Sequence, residues 1–190
     1  MSNLQKALEY AHQNHERFLN ELIEVLKIPS ISTDAGYNAE VQRAAQWMAD
    51  RLRKLGIERV QVMPTDGGHP IVYGEYMKKP GAKTVLIYGH YDVQPADPLE
   101  LWETGPFEPQ VRDDLLFARG SSDMKGQTLA TFNALESIIK NGELPVNVKF
   151  LLEGEEEIGS KNLAAFLTRH AHMIKADVSL NPDAGLMGVD

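Results

Sequence analysis

Four groups of ionisable residues stand directly behind or beside short apolar runs, and together they could hold cations and activate water. The run Thr84 to Tyr88 leads into Gly89, His90, Tyr91 and Asp92, and the run Val146 to Leu152 leads into Glu153, Gly154, Glu155, Glu156 and Glu157. Val178 to Leu180 leads into Asn181, Pro182 and Asp183, and a fourth cluster, Arg119 to Asp123, precedes a helical segment. Carboxylates crowded at one partly dry rim repel one another and raise one another's pKa unless a cation neutralises them. One imidazole with several carboxylates suits zinc, with manganese or cobalt as alternatives, whereas calcium sites are built from oxygen alone. The carboxylates exceed what one tetrahedral ion needs, so a pair of ions sharing a bridging carboxylate fits better. The expected chemistry is metal-assisted hydrolysis.

These residues can meet only if the runs that carry them are strands of one sheet. Val60 to Met63, Ile71 to Tyr76 and Thr84 to Tyr88 read as strands separated by Pro64, Asp66-Gly67-Gly68 and Pro80-Gly81 turns. A weak strand near Leu115 to Ala118 and further strands at Val146 to Leu152 and Asp177 to Leu180 follow. Helical spacing runs from Leu4 to Lys27, from about Asn38 to Leu55, from Gly126 to Asn141 and from about Ser160 to His170. Gly56 is a suitable terminator of the second helix, and Arg51, Arg53 and Lys54 suit the dipole of its last turn. The proline-broken stretch Ala96 to Pro109 reads as a long ordered loop. Strands alternating with helices predict an α/β fold, a three-layer sandwich with a mostly parallel sheet mixed at one edge and its site beyond the carboxyl ends of the strands.

Composition removes several alternatives. The formal net charge of −8 disfavours a sequence-independent grip on nucleic acid or on an anionic membrane. The chain has no cysteine, which excludes thiolate metal sites, iron–sulfur clusters and cysteine nucleophiles. Met1 to Phe18 lacks the apolar core of a signal peptide and no stretch has the length of a membrane span, so a cytoplasmic location is expected. His15-Glu16 begins like a zincin motif, but Leu19 occupies the place of the second histidine. Serine-hydrolase, P-loop and dinucleotide-binding signatures do not occur.

Three ordered motifs carry a resemblance: Gly89-His90-Tyr91-Asp92-Val93-Gln94-Pro95, Arg119-Gly120-Ser121-Ser122-Asp123-Met124-Lys125-Gly126 and Glu153-Gly154-Glu155-Glu156-Glu157-Ile158-Gly159-Ser160. They resemble the signatures of the co-catalytic zinc hydrolases that include carnosine-type dipeptidases, glutamate carboxypeptidases, succinyl-diaminopimelate desuccinylases, acetylornithine deacetylases and aminoacylases. The wording of the first motif and the Trp102 to Pro109 loop look closest to the dipeptidase branch.

The resemblance implies a zinc-exopeptidase-like domain with two zinc ions. His90 binds the first ion, Asp123 bridges both, Glu157 binds the second and Asp183 completes the first site. Asp92 orients the His90 imidazole, and Glu156 acts as general base on a water and later as proton donor to the leaving amine. Met124 departs from the family's usual Asp or Asn, Ala118 stands where Gly is frequent, and Asn181 to Gly185 is an unusual strand-end motif. Residues 1–190 are expected to be the N-terminal part of the catalytic domain, with the lid or dimerisation domain, a closing histidine ligand and the C-terminal completion lying beyond them. The expected substrate is a dipeptide or short peptide, and the full-length protein is expected to be a homodimer. Two other readings stay open: an N-acyl amino-acid deacylase or desuccinylase with the same metal core, and a non-catalytic metal-binding or assembly module.

Overall fold

The computed structural model describes residues 2–185. The chain opens with two helices, α1 (Asn3–Gln13) and α2 (His15–Leu26). The single helix expected over Leu4 to Lys27 is thus broken at Asn14. Its side-chain amide donates to the Tyr10 carbonyl at 2.9 Å, competing for a helical acceptor, and its Oδ1 accepts from the Arg17 side chain at 3.2 Å, which holds the amide in that place. α3 (Asn38–Leu55) has the expected bounds and ends at Gly56, whose left-handed φ of 93° a residue with a side chain rarely adopts.

The main sheet comprises β1 (Glu58–Met63), β2 (Ile71–Tyr76), β3 (Thr84–His90), β6 (Asn147–Glu153) and β7 (Val178–Leu180), in the order β1-β2-β6-β3-β7. β3 pairs in parallel with β6 and with β7, whereas β2 is antiparallel to β1 and β6, so four of the five strands run in one direction. The expected mostly parallel sheet with a mixed edge is therefore present. The weak strand near Leu115 instead belongs to a separate hairpin, β4 (Gln110–Arg112) with β5 (Leu115–Phe117), closed by Asp113 and Asp114 at positive φ. Between β3 and this hairpin the proline-rich loop makes one short 3-10 turn, Leu99–Leu101.

Helices cover both faces. α3 and α4 (Lys125–Asn141) pack on one, where Val41, Met48, Leu52, Leu129 and Phe132 meet Val72, Val148 and Phe150. The Phe132 and Phe150 rings meet edge to face at 5.5 Å. α5 (Leu163–Arg169) and α6 (Ala171–Ile174) cover the other around Ile71, Leu151 and Phe166. The helix expected from Ser160 begins only at Leu163, because residues Glu156–Ile158 form a 3-10 turn first. β6 is buried along its whole length, so its polar side chains need partners. Asn147 bonds the Lys79 main chain, and Lys149 Nζ donates to the Met173 and Lys175 carbonyls at 2.7 and 2.8 Å.

A buried ionic network ties the first four helices together. Glu136 accepts from Arg51 Nη2 at 2.5 Å, from Arg17 Nη2 at 2.5 Å and from the Tyr10 hydroxyl at 2.9 Å. Arg51, read from the sequence only as a cation suited to the helix dipole, is buried and also binds Glu21 at 2.8 Å and Asn133 at 3.0 Å. Although burial opposes ionisation of Glu136, the hydrogen bonds from Arg17, Tyr10 and Arg51 hold its carboxyl below the usual range. Glu136→Leu removes the shared counter-charge while Arg51 keeps Glu21, so a loss of about 3 kcal/mol is expected in denaturant unfolding of the complete protein. A loss below about 1 kcal/mol, as exposed pairs give, would show that the network adds nothing beyond packing.

Candidate metal centre

The parallel pairing of β3 and β6 brings the first and third motifs to one edge, because His90 lies opposite Glu153 in register. His90 ends β3. The Tyr91 amide donates to the Glu153 carbonyl at 2.9 Å and the Val93 amide to the Ser30 carbonyl at 3.0 Å, so the chain after the strand is pinned on both sides. Gly154 lies so close to the buried Tyr91 ring that a Cβ there would sit 2.5 Å from its hydroxyl oxygen. Gly126, at the start of α4, meets the Ser121 carbonyl in the same way, at 2.0 Å from an added Cβ. These two contacts fix the strand-end turn of the third motif and the loop that carries Asp123.

His90 is fully buried. Its Nδ1 faces the Asp92 main-chain oxygen at 3.1 Å and the Asp92 Oδ1 at 3.4 Å, and both are acceptors, so Nδ1 carries the hydrogen. That tautomer leaves the Nε2 lone pair pointing into the rim. Among the described residues Nε2 is buried without a hydrogen bond, yet Asp123 Oδ1 lies at 3.2 Å, Asp183 Oδ2 at 3.5 Å and Glu156 Oε2 at 3.9 Å. A lone pair facing three carboxylates is repulsive unless a proton or a cation stands between them. Burial works against the charged ring, but the Asp92 hydrogen bond and the charges of Asp92, Glu156 and Asp123 outweigh it and push the His90 pKa up to about 9.

The structure brings all six candidate residues to this edge. His90, Asp123 and Glu157 each offer one ligand atom within 4.8 Å of the others. Asp92 is buried and anchors the acidic turn, accepting from the Glu156 amide at 3.3 Å, the Glu157 amide at 3.1 Å and the Ser32 hydroxyl at 2.6 Å. Asp123 and Glu156 stay partly open to solvent, with side chains 60% and 40% exposed, as groups that meet an incoming molecule must be. Burial and the neighbouring Asp123 charge push the Glu157 carboxyl up, partly offset by a hydrogen bond from Gln94.

Several groups that hold the site had no signal of their own in the sequence. Ser32 and Gln94 hydrogen-bond Asp92 and Glu157; Gln94 stands inside the first motif, but neither residue's type announces the contact it makes. Met124 is buried and its Sδ accepts from the His90 amide at 3.2 Å, so the family's usual polar residue is replaced by a thioether beneath the histidine. Lys125 is fully buried, donates to the Val25 and Ile28 carbonyls at 3.2 and 2.7 Å, and is pushed down to about 7 by burial. It fastens the start of α4 to the end of α2, a structural part. Arg119 donates to the Pro95 carbonyl at 2.8 Å and lies over the Trp102 ring.

A family model described as Peptidase family M20/M25/M40 matches residues 86–187, a span that contains the three strand-end clusters and Asp123. The chain belongs to this family. Within the M20/M25/M40 peptidases, it is 35% identical over 182 residues to the Cys-Gly metallodipeptidase DUG1 of Candida albicans, covering 88% of this chain and 38% of that protein. Its fold superposes on human carnosine dipeptidase 1 with a TM-score of 0.90 and 31% identity, over 97% of this chain and 42% of the other. The M20 family metallo-carboxypeptidase Sso-CP2 from Sulfolobus solfataricus matches with a TM-score of 0.82 and 42% identity, over 89% of this chain and 38% of the other. The chain thus spans about 40% of the length of these relatives. No helix among the described residues is long and apolar enough to cross a membrane.

Proposed function

We propose that the complete protein is a metal-dependent exopeptidase that hydrolyses dipeptides or short peptides. The observation that carries this reading is the buried Nε2 of His90, which has no hydrogen-bond partner among the described residues and faces the carboxylates of Asp123, Asp183 and Glu156. A neutral imidazole with carboxylate oxygens is a donor set that divalent zinc accepts, with manganese or cobalt as alternatives. His90 and Asp183 would hold one ion, Glu157 a second, and Asp123 both. When bound, such a pair supplies Lewis acidity that polarises an amide carbonyl and makes water acidic enough to lose a proton near neutral pH.

The residues of the chain do the rest. Asp92 holds the His90 tautomer through Nδ1 and, through the amides of Glu156 and Glu157, fixes the turn that carries both carboxylates. Glu156 is the general base: it takes a proton from the attacking water and passes it to the departing amine nitrogen. The dipeptide preference rests on two relatives, a Cys-Gly metallodipeptidase and a carnosine dipeptidase. A cytoplasmic location and a homodimer rest on the sequence reading and the family resemblance.

The test is a substrate panel on the complete protein, with and without added zinc. Hydrolysis of unblocked dipeptides that is lost with a chelator and restored by metal is the expected result. Turnover confined to N-acetyl or N-succinyl amino acids would replace the peptidase by a deacylase, and absence of any turnover with metal bound would favour the assembly module.

A further inference from the structure

We infer that Gln94 is a positioning residue that presets Glu157 for its cation, an inference that rests on the metal reading above. Gln94 meets Glu157 with two parallel donors. Its backbone amide donates to Oε1 at 3.1 Å and its side-chain Nε2 to Oε2 at 2.7 Å, with a longer contact of Nε2 to the Glu157 carbonyl at 3.4 Å. Gln94 itself is held from both sides. The Val93 amide before it bonds the Ser30 carbonyl at 3.0 Å, Val93 bridges to Ile31, and the carbonyl of Pro95 after it accepts from Arg119 at 2.8 Å. The Val93 contacts hold the peptide plane that carries the Gln94 amide, and Pro95 confines Gln94 to extended backbone, so amide and side chain reach Glu157 together.

Each carboxylate oxygen has two lone-pair positions. The Gln94 fork occupies one on each oxygen and leaves the other free, and one Glu157 oxygen groups with a ligand atom each of His90 and Asp123 within 4.8 Å. A glutamate with three rotatable bonds loses conformational entropy when it is immobilised by a ligand. With the fork in place, most of that loss is incurred before any cation arrives. Gln94 sits on the same strand-end segment as His90 and Asp92, so one continuous stretch positions an imidazole, its orienting carboxylate and the carboxylate of the facing turn.

The prediction concerns one metal of the two. Gln94 is exposed, so its replacement does not disturb the core. In a competition titration of the complete protein with a chromophoric zinc chelator, Gln94→Ala is expected to weaken the site that contains Glu157 by about 10–100-fold, the usual cost of losing a group that holds a metal ligand. The tighter of the two binding phases stays as in the wild type if it belongs to His90 and Asp183. Gln94→Met, which keeps the length of the side chain but removes its donor, is expected to behave like Gln94→Ala. If Gln94→Met restores wild-type binding, the side chain acts by packing and the inference is overturned. If the wild type takes up two ions and both variants match it, the inference is overturned while the metal centre stands. If the wild type takes up no zinc, the metal reading itself has failed and the inference falls with it.

Discussion

Glu156→Gln is expected to leave the protein folded and metal-loaded while lowering kcat by about 10²–10⁴-fold, the range that a positioned general acid–base group contributes. The amide is nearly isosteric with the carboxylate, and the main-chain bond from residue 156 to Asp92 does not involve the side chain. What the substitution removes is the capacity to accept a proton from water and return it to an amine. Glu156 is suited to that task by position: its Oε2 is 3.9 Å from His90 Nε2, farther than Asp123 or Asp183, and its side chain remains 40% exposed. A group that contacts the reacting water but does not anchor a cation should move kcat and leave metal content and KM nearly unchanged. The measurement is therefore kcat and KM on one unblocked dipeptide beside elemental analysis of the same sample. Undiminished kcat would remove Glu156 from the base role, and loss of metal together with activity would make it a ligand instead.

The centre could be read from the sequence to the extent that its chemistry is carried by residue type at the ends of recognisable strands. His90, Asp92, Asp123, Glu156, Glu157 and Asp183 are all at the edge where the strands that carry them pointed. Apolar runs reveal that Thr84–His90 and Asn147–Glu153 are inner strands, but not that β6 inserts between β2 and β3. That order depends on which helix crosses which face, a long-range matter with no local signature. The same limit hid the part played by Arg51, whose position near the end of α3 suited the helix dipole but gave no sign that Glu21 and Glu136 of two other helices close around it. Ser32 and Gln94 were hidden for a different reason. Their contribution lies in where a neighbour's backbone puts them, and a hydroxyl or an amide is equally at home on any loop.

The interior of the centre explains why the acidic cluster is tolerable. Asp92 accepts from two amides and a hydroxyl and faces the His90 ring, so its charge is spread over hydrogen bonds that cost nothing to reorganise. Among the described residues Asp123, Asp183 and Glu157 lack such a set of donors, apart from the fork of Gln94, and their charge calls for something brought in. In the metal-free protein the proton on His90 does this partly, and the question of what holds the site together becomes a competition between that proton and a cation.

The sign of that competition leads to the second large effect. The His90 pKa is raised from 6.5 to about 9 in the metal-free fold, so its protonation stabilises that fold fully below pH 6.5, and the contribution is lost as pH rises through 9. A cation can bind Nε2 only after the proton leaves. Zinc affinity of the site is therefore expected to rise by about tenfold per pH unit as pH climbs toward 9, and to level off above it, since one proton is released per ion bound at Nε2. His90→Ala should abolish near-stoichiometric metal binding and with it this pH dependence, and Asp123→Ala should do the same if its carboxylate serves both ions. Competition titrations at several pH values on the wild type and both variants measure it. A wild-type affinity that does not change between pH 6.5 and 9 would mean that Nε2 is already deprotonated, and that Asp123 and Asp183 do not act on it as the 3.2 and 3.5 Å contacts require. Metal retained by His90→Ala would move the centre to carboxylates alone, a donor set that favours magnesium or calcium over zinc and would call for a different reaction.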